Sequence, residues 1–485
     1  MLGLIAQQQG KSELALQLFD AALTAAPDLP QARFNRALVL RNLKRDTEAL
    51  ESLRALIATA PRMAEAWDLI GQILKDQGSY AKAYSCFSCA IDLQPDNAHF
   101  HGNFGLLLFA QHDFEGAYRE ARLAEKLDPA YPPMLLGNLM KSWGYPEQAA
   151  KYFARVRELM PHFADAAASE AMEHLQMGDW EKGWALWEQR PDLAPELRDI
   201  PFWQGQKTAH LLVYEDQGLG DAIQFLRYLP LLRTRTTHVT LRIHPSLHRL
   251  CAENFSSVTI ISNQDPLAAV DARCRLSSLA FFFAARPDAV PTAPYLTISA
   301  ARHTRDLAKN CPSPRIGLVW AGNTKFHNDA ARSIDFSLLP PLLACSQEHV
   351  ISLQKEHSNA CQTAGIKDAA PLLKDFADTA ALIRELDLVI SVDTATAHLA
   401  GALGKPVFIL LSFYSDWRWF LGREDSPWYP SARLFRQQQP GDWQGVIESV
   451  AADIKKFLAG DRSVIAPAPW QGEFLRRHPG ALPLS

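Results

Sequence analysis

Two rhythms of apolar and polar residues divide the chain. Over about the first 160 residues, apolar positions recur at the 3.6-residue spacing of amphipathic helices, and they do so in pairs. In the third period Trp67, Leu69, Ile70 and Ile73 make one stripe, and Ala83, Phe87 and Ala90 make the next. Pro27, Pro61, Pro95 and Pro129 punctuate the pairs at 34-residue intervals, and Pro161 follows 32 residues later. Small residues keep phase with them: Gly3, Ala37, Gly71 and Gly105, then Ala15, Ala49, Ala83, Ala117 and Ala149. Four positions beyond the alanines stand Phe19, Leu53, Phe87 and Phe153, with Ala121 as the smaller exception. Small side chains let paired helices approach, large ones fill the groove, and the proline ends each pair because it cannot continue the helix. One pair cannot bury both faces, so the pairs must stack into a solenoid with a concave surface. The first repeat is short of its opening residues, and a further pair around Ala164 to Trp187 reads as a cap. The array with its capping helices is thus expected over residues 1–190. It serves either as a folding or dimerisation module or to capture a peptide or protein in its groove.

From about His210 the rhythm changes. Short β-rich runs appear at Leu211–Tyr214, His238–Ile243 and Val258–Ile261, with helical sequence such as Ala222 to Leu232 between them. After a proline-containing stretch the alternation restarts at Arg315–Trp320, Val350–Leu353, Leu388–Val392 and Pro406–Leu411. Near-continuous apolar strands separated by helices predict parallel sheets covered on both faces. Two such sets predict two Rossmann-like lobes, at 200–305 and 313–460. The remainder, 461–485, is a tail containing Pro467, Pro469, Pro479 and Pro483. The fold class expected is an α-helical solenoid followed by a two-lobed α/β part.

In open parallel sheets ligands sit beyond the C-terminal ends of the strands, so four loops carry the candidate chemistry. The first is Asp216-Gln217-Gly218-Leu219-Gly220-Asp221, running on to Gln224. Gly218 and Gly220 permit tight turns and close approach of a ligand. Asp221 is either a catalytic carboxylate or simply a cap of the following helix. The second loop holds Gly322, Asn323, Lys325, Asn328 and Arg332: either an anion cradle, with Lys325 or Arg332 neutralising a phosphate, or a solvated polar loop. The third, Asp393-Thr394-Ala395-Thr396-Ala397-His398, opens a helix whose exposed N–H groups favour phosphate. His398 there is either a site residue or a packed core histidine. The fourth, Asp416-Trp417-Arg418-Trp419 with Arg423 to Pro430, is rich in rings and cations. It suits stacking on a sugar or base, an interlobe contact, or core packing of a loop.

Composition removes several alternatives. A formal net charge of -4 gives no basic footprint for nucleic acid. No window approaches the roughly 18 apolar residues that span a bilayer, and the first residues lack a charged, then apolar, export signal. Seven scattered cysteines fit reduced thiols, and Cys86 and Cys89, at helical spacing inside a repeat, read as core thiols. A cytoplasmic location is expected. Neither a metal-ligand constellation nor a P-loop string occurs in the sequence, so neither a metal nor another cofactor is expected.

The 34-residue period, its small positions and its terminal proline resemble the tetratricopeptide repeat. Gly220-Asp221 after the first strand, with Asp393-Thr394 and His398 after a late one, resembles glycosyltransferase family 9, the heptosyltransferases, over roughly residues 200 to 460. It resembles still more the transferase domains joined to tetratricopeptide arrays in bacteria. The resemblance implies a GT-B fold, with the acceptor on the first lobe and a nucleotide sugar on the second. It implies an inverting, metal-independent transfer in which Asp221 is the base and Asp393, Thr394 and His398 lie at the donor's phosphates. Thr396 on the same helix start, with Gly322, Asn323, Lys325 and Arg332, completes the expected donor site. Gln217, Gly218, Gly220, Gln224, Trp417 and Arg418 are expected around the acceptor or cleft. One departure stands out: the family's glycine after Asp-Thr is Ala395 here, which adds a Cβ beside the donor's phosphates. The array would recruit the acceptor, possible acceptors being a protein such as flagellin or a lipopolysaccharide or capsule glycan. A transferase that has lost activity and serves as a scaffold is the rival reading.

Overall fold

In the computed structural model the 34-residue rhythm becomes helix pairs: α1 (Leu2–Gln8) with α2 (Ser12–Ala25), α3 (Pro30–Asn42) with α4 (Asp46–Thr59), α5 (Ala64–Asp76) with α6 (Tyr80–Leu93), and α7 (Ala98–Ala110) with α8 (Phe114–Leu127). α9 (Met134–Ser142) and α10 (Pro146–Leu159) follow. The structure describes residues 1–467 except Leu193, Ala284, Ala285, Ala293, Ala300, Ala301, residues 325–328 and His357. Lys325 and Asn328 therefore lie outside the described residues, as do the last three of the tail's four prolines. The described chain divides into two compact units: Met1–Ser142 with Lys151–Phe163, and Trp143–Ala150 with the described residues from Ala164 onward.

The phase of small and large residues has a direct steric meaning in the first unit. A Cβ placed on Gly3, Gly71 or Gly137 would lie 2.8, 2.8 and 2.5 Å from the rings of Phe19, Phe87 and Phe153. Each ring occupies the space that its glycine vacates. At Gly105 the partner position is the small Ala121, and Leu135 of the next helix fills the gap instead, at 2.7 Å. A second regularity is polar. Arg33, Trp67 and His101 stand 34 residues apart. Each side chain reaches the carbonyl of the proline region six residues earlier: Arg33 to Pro27 (2.6 Å), Trp67 to Pro61 (2.9 Å) and His101 to Pro95 (2.7 Å). Three different residue types thus satisfy the same exposed end of the preceding pair. Cys86 lies inside this packing on α6, where burial pushes its thiol up to about 11.

After Trp143–Ala150, the second unit continues with α11 (Ala164–Gln176) and α12 (Trp180–Trp187), the pair expected as a cap. Ala171, Leu175, Trp180, Trp184, Leu186 and Trp187 belong to the same hydrophobic core as the first α/β sheet. That sheet has the order β3-β2-β1-β4, built from β1 (Thr208–Tyr214), β2 (Thr236–Arg242), β3 (Val258–Ile261) and β4 (Ala272–Arg275). The second sheet, in the order β10-β9-β8-β5-β6-β7, contains β5 (Ile316–Val319), β6 (Val350–Ser352), β7 (Lys367–Asp368), β8 (Leu388–Val392), β9 (Val407–Leu411) and β10 (Ala432–Arg436). All the strand pairings between these elements are parallel, as their apolar runs imply. Core residues of both sheets, among them Leu211 and Val213 of β1 and Val389, Val407 and Ile409 of β8 and β9, fall in one contiguous cluster.

The helix expected over Ala222 to Leu232 is shorter than its apolar run. α13 spans Leu219–Phe225, and the chain continues as a 3-10 stretch, Leu226–Thr234, with Pro230 inside it. Proline has no N–H for the α-helical bond and its ring crowds the preceding turn, which turns the segment to the tighter winding. No described helix is long and apolar enough to cross a membrane.

Candidate active site

The end of β1 and the start of α13 position the first candidate loop. Asp216 is fixed from behind: its carboxylate accepts from Arg190 Nη2 (2.7 Å), Ser277 Oγ (2.7 Å) and the Ser277 N–H (3.1 Å). This network clamps the loop and leaves Gln217 and Gly218 exposed. Asp221, on the first turn of α13, turns its Oδ2 back to the Gly218 N–H (3.1 Å). That bond is the capping contact expected of a carboxylate three residues into a helix. Its Oδ1 does something else: it accepts from Arg418 Nη2, which arrives from the second sheet. The side chain keeps 23% exposure. Burial pushes its carboxyl up, and the Arg418 guanidinium pulls it back down.

Gly220 is needed for close approach. A Cβ there would lie 2.8 Å from the His398 ring and 3.5 Å from the Ala395 Cα. Its absence lets α13 rest on the helix Ala395–Ala402, which follows β8. His398 is buried, stacked on Trp419 with ring centroids 5.3 Å apart, and paired through Nδ1 with the Tyr429 hydroxyl (2.8 Å). Burial and the nearby Arg418 hold its imidazole well below the usual histidine range, so it is neutral at pH 7. Its Nε2 stands 3.7 Å from Asp393 Oδ1. Burial, then repulsion from Asp416, raises the Asp393 carboxyl to about 6. Thr394 caps the helix in an extended conformation and its hydroxyl meets Ser391 Oγ (3.0 Å). Thr396 lies half-buried in the first turn. Ala395 is the first helical residue, in a conformation open to any L-residue, and faces the gap that Gly220 leaves.

The loop after β5 meets this helix start through Arg332. Its Nη1 donates to the Asp393 carbonyl (3.1 Å), while Nε pairs with Asp329 Oδ1 (3.0 Å). A Cβ on Gly322 would strike Asp329 Oδ1 and the Arg332 guanidinium at 2.3 and 2.6 Å, so glycine makes room for that pair. Asn323 is exposed beside it. The structure thus brings together Asp221, Gly220, Asp393, Thr394, His398, Arg418, Arg332 and Gly322. Lys325 lies outside the described residues. Trp417 and Gln224 are placed differently from an open cleft: Trp417 is 3% exposed between Trp184 (5.4 Å) and Trp428 (5.8 Å), and Gln224 is fully buried. The Trp417 ring is a packing group, the last of the alternatives its sequence left open.

Sequence reading overlooked Arg227, whereas Tyr429 stood within the ring-rich fourth loop. Arg227 is buried and donates to the carbonyls of Gln224 (2.9 Å), Pro291 (3.0 Å) and Trp428 (2.8 Å), with the Tyr295, Tyr429 and Trp428 rings around it. The signal was available: a lone cation inside the apolar run Phe225-Leu226-Arg227-Tyr228-Leu229 demands a structural partner. No group of three or more His, Cys, Asp and Glu among the described residues is arranged to hold a metal ion.

Comparison with known proteins identifies the class. The tetratricopeptide repeat matches residues 1–64 and 64–97, and glycosyltransferase family 9 (heptosyltransferase) matches residues 342–439. The chain therefore carries tetratricopeptide repeats at its N-terminus and a glycosyltransferase family 9 domain toward its C-terminus. The matched segment holds Asp393, Thr394, His398 and Arg418; Asp221 and Arg332 lie before it.

Among individual proteins, the chain is 29% identical to protein FlbA of Caulobacter vibrioides, over 94% of this chain and 78% of that one. Human tetratricopeptide repeat protein 7A is 33% identical over 19% of this chain and 11% of its own length. A solved structure of a tetratricopeptide protein of Thermus thermophilus is 25% identical, covering 36% of this chain and 96% of that one with a TM-score of 0.34.

Proposed function

We propose that the chain is an inverting, metal-independent glycosyltransferase of GT-B architecture that moves a sugar from a nucleotide sugar to an acceptor hydroxyl. The observation that carries this reading is the meeting of Asp221, from the first turn of α13, with Arg418, Asp393 and His398, from the loops of the second sheet. Asp221 accepts the proton of the acceptor hydroxyl as its oxygen bonds to the anomeric carbon. The carbon–oxygen bond to phosphate breaks, and its electron pair leaves with the nucleotide. The helix start at Thr394–Thr396, with Arg332 and Arg418, receives that charge. The tetratricopeptide array recruits the acceptor, a protein such as flagellin, in the cytoplasm, where no cofactor besides the donor is required. A heptosyltransferase-like role toward lipopolysaccharide or capsule uses the same site with a glycan acceptor.

Two measurements test the reading. A thermal-shift panel with UDP-, GDP-, ADP-, dTDP- and CMP-sugars should give one selective stabilisation, lost in Asp393→Ala. With the donor so named, Asp221→Asn should lower turnover by about 10²-fold or more. Turnover near the wild-type rate would remove Asp221 as the base. No shift with any nucleotide sugar would favour a scaffold whose working part is the helical array.

A further inference from the structure

Arg418 stands in a conflict of charge. Its guanidinium reaches Asp221 through Nη2 and Asp416 through Nη1 (2.9 Å), and Asp393 lies within the same electrostatic field. Three carboxylates share this cation, Asp393 also feels Arg332, and the neutral His398 adds nothing to balance them. Arg332, the other guanidinium at the helix start, is already engaged with Asp329 and the Asp393 carbonyl. A phosphate arriving beside Thr394 would meet more negative than positive charge for as long as Arg418 stays with Asp221. Arg418 also has unspent capacity: its side chain is 9% exposed, yet its buried Nε N–H has no acceptor among the described residues. A buried donor left without an acceptor is destabilising, and a phosphate oxygen is the acceptor that a guanidinium fork fits best.

We propose that Arg418 is exchanged between Asp221 and the donor's leaving phosphate, so that donor binding unmasks the base. The proposal rests on the reading of Asp221 as base and of the helix start as phosphate site. In the empty protein the guanidinium occupies Oδ1 of Asp221 and weakens it as a proton acceptor. When the phosphate takes the fork, Oδ2 remains tied to the Gly218 N–H and Oδ1 is free for the acceptor hydroxyl. The proton then passes to Asp221, and Arg418 balances the charge that gathers on the phosphate oxygen as the bond to the sugar breaks. Binding is ordered as a result, donor before acceptor.

The test uses the full chain and inorganic pyrophosphate, titrated calorimetrically into wild type, Asp221→Asn, Arg418→Gln, Arg418→Lys and the Asp221→Asn/Arg418→Gln pair. Removing the competing carboxylate should tighten pyrophosphate binding on the order of 10-fold, and that gain should vanish where Arg418 is Gln. Arg418→Lys should keep part of it. An equal gain with and without Arg418 means simple relief of repulsion and overturns the exchange, as does wild-type affinity in Arg418→Gln. If Arg418→Gln fails to fold, the absence of any gain in Asp221→Asn is enough to overturn it. No binding even to wild type overturns the phosphate site beneath the proposal as well; binding that ignores Arg418 overturns the exchange alone.

Discussion

At Asp68 on α5, burial and hydrogen bonding pull in opposite directions. The side chain is 7% exposed and accepts from Asn103 Nδ2 (3.0 Å) and Gln72 Nε2 (2.7 Å), yet loss of solvent dominates and raises its carboxyl to about 6. An unfolded aspartate titrates near 4. The folded state therefore holds its proton more tightly. The contribution to stability is full below pH 4 and is lost as pH rises through 6, a swing of about 2–3 kcal/mol. Asp68→Asn keeps an oxygen for both donors and removes the charge. It should leave stability unchanged at pH 4 and raise it by about that amount at pH 7.5, read from denaturant unfolding at the two pH values. An equal effect at both pH values would mean that Asp68 is not held in the way its burial implies. Residues of this kind, like Arg227 and Arg418, explain where sequence reading ended. Asp221, Asp393 and His398 could be singled out by their place after a strand, but nothing along the chain says that Arg418 answers Asp221, which precedes it by 197 positions.

Elements were legible in proportion to how fully their own side chains declare the environment. Strands such as Leu388–Val392, apolar but for Ser391, and Val407–Leu411, apolar throughout, were found. β4 is Ala-Arg-Cys-Arg, fully buried, and was not. Its arginines are held by groups distant in sequence: Arg273 by an ion pair with Asp192 (2.7 Å) and a hydrogen bond to the Ile200 carbonyl (2.8 Å), Arg275 by the carbonyls of Arg190 and Pro191. A charged strand is hidden from pattern reading because its partners are not in the pattern. In the array the reverse holds, since each glycine names its ring. Gly71→Ala would push a Cβ to 2.8 Å from the Phe87 ring. Overpacking of this order costs about 1–3 kcal/mol, against about 1 kcal/mol gained in helix propensity. The second repeat already carries the compensated pair, Ala37 with Leu53. Gly71→Ala/Phe87→Leu should therefore be more stable than the sum of its single variants by about 1 kcal/mol, measured as a double-mutant cycle. Strict additivity would mean that the two positions do not share space.

In the second unit a seam joins the two sheets, and the second sheet packs a further core of its own on its other face. Trp180 stacks on Trp428 at 5.1 Å, and the Arg227 cation ties α13, the Pro291–Tyr295 connection and Trp428 together. Replacing Arg227 by Met takes a donor from the carbonyls of Gln224, Pro291 and Trp428 and removes three ring contacts. A loss on the order of 3 kcal/mol or more is expected in the unfolding transition of this unit. An unchanged transition would mean that the sheets are held together without it. The two parallel sheets followed from strand counting, whereas the seam did not, because α11 and α12 read as the last members of the array while their tryptophans belong to the other core.

The bond from Arg33, Trp67 and His101 to a prolyl carbonyl has a consequence for how such chains are compared. That position requires reach and a hydrogen to donate, and three chemically unlike side chains meet the requirement. A repeat whose seam depends on a donor can exchange one letter for another without altering its architecture. Likeness between repeats is then better scored by what each side chain can offer the neighbouring backbone than by which residue it is.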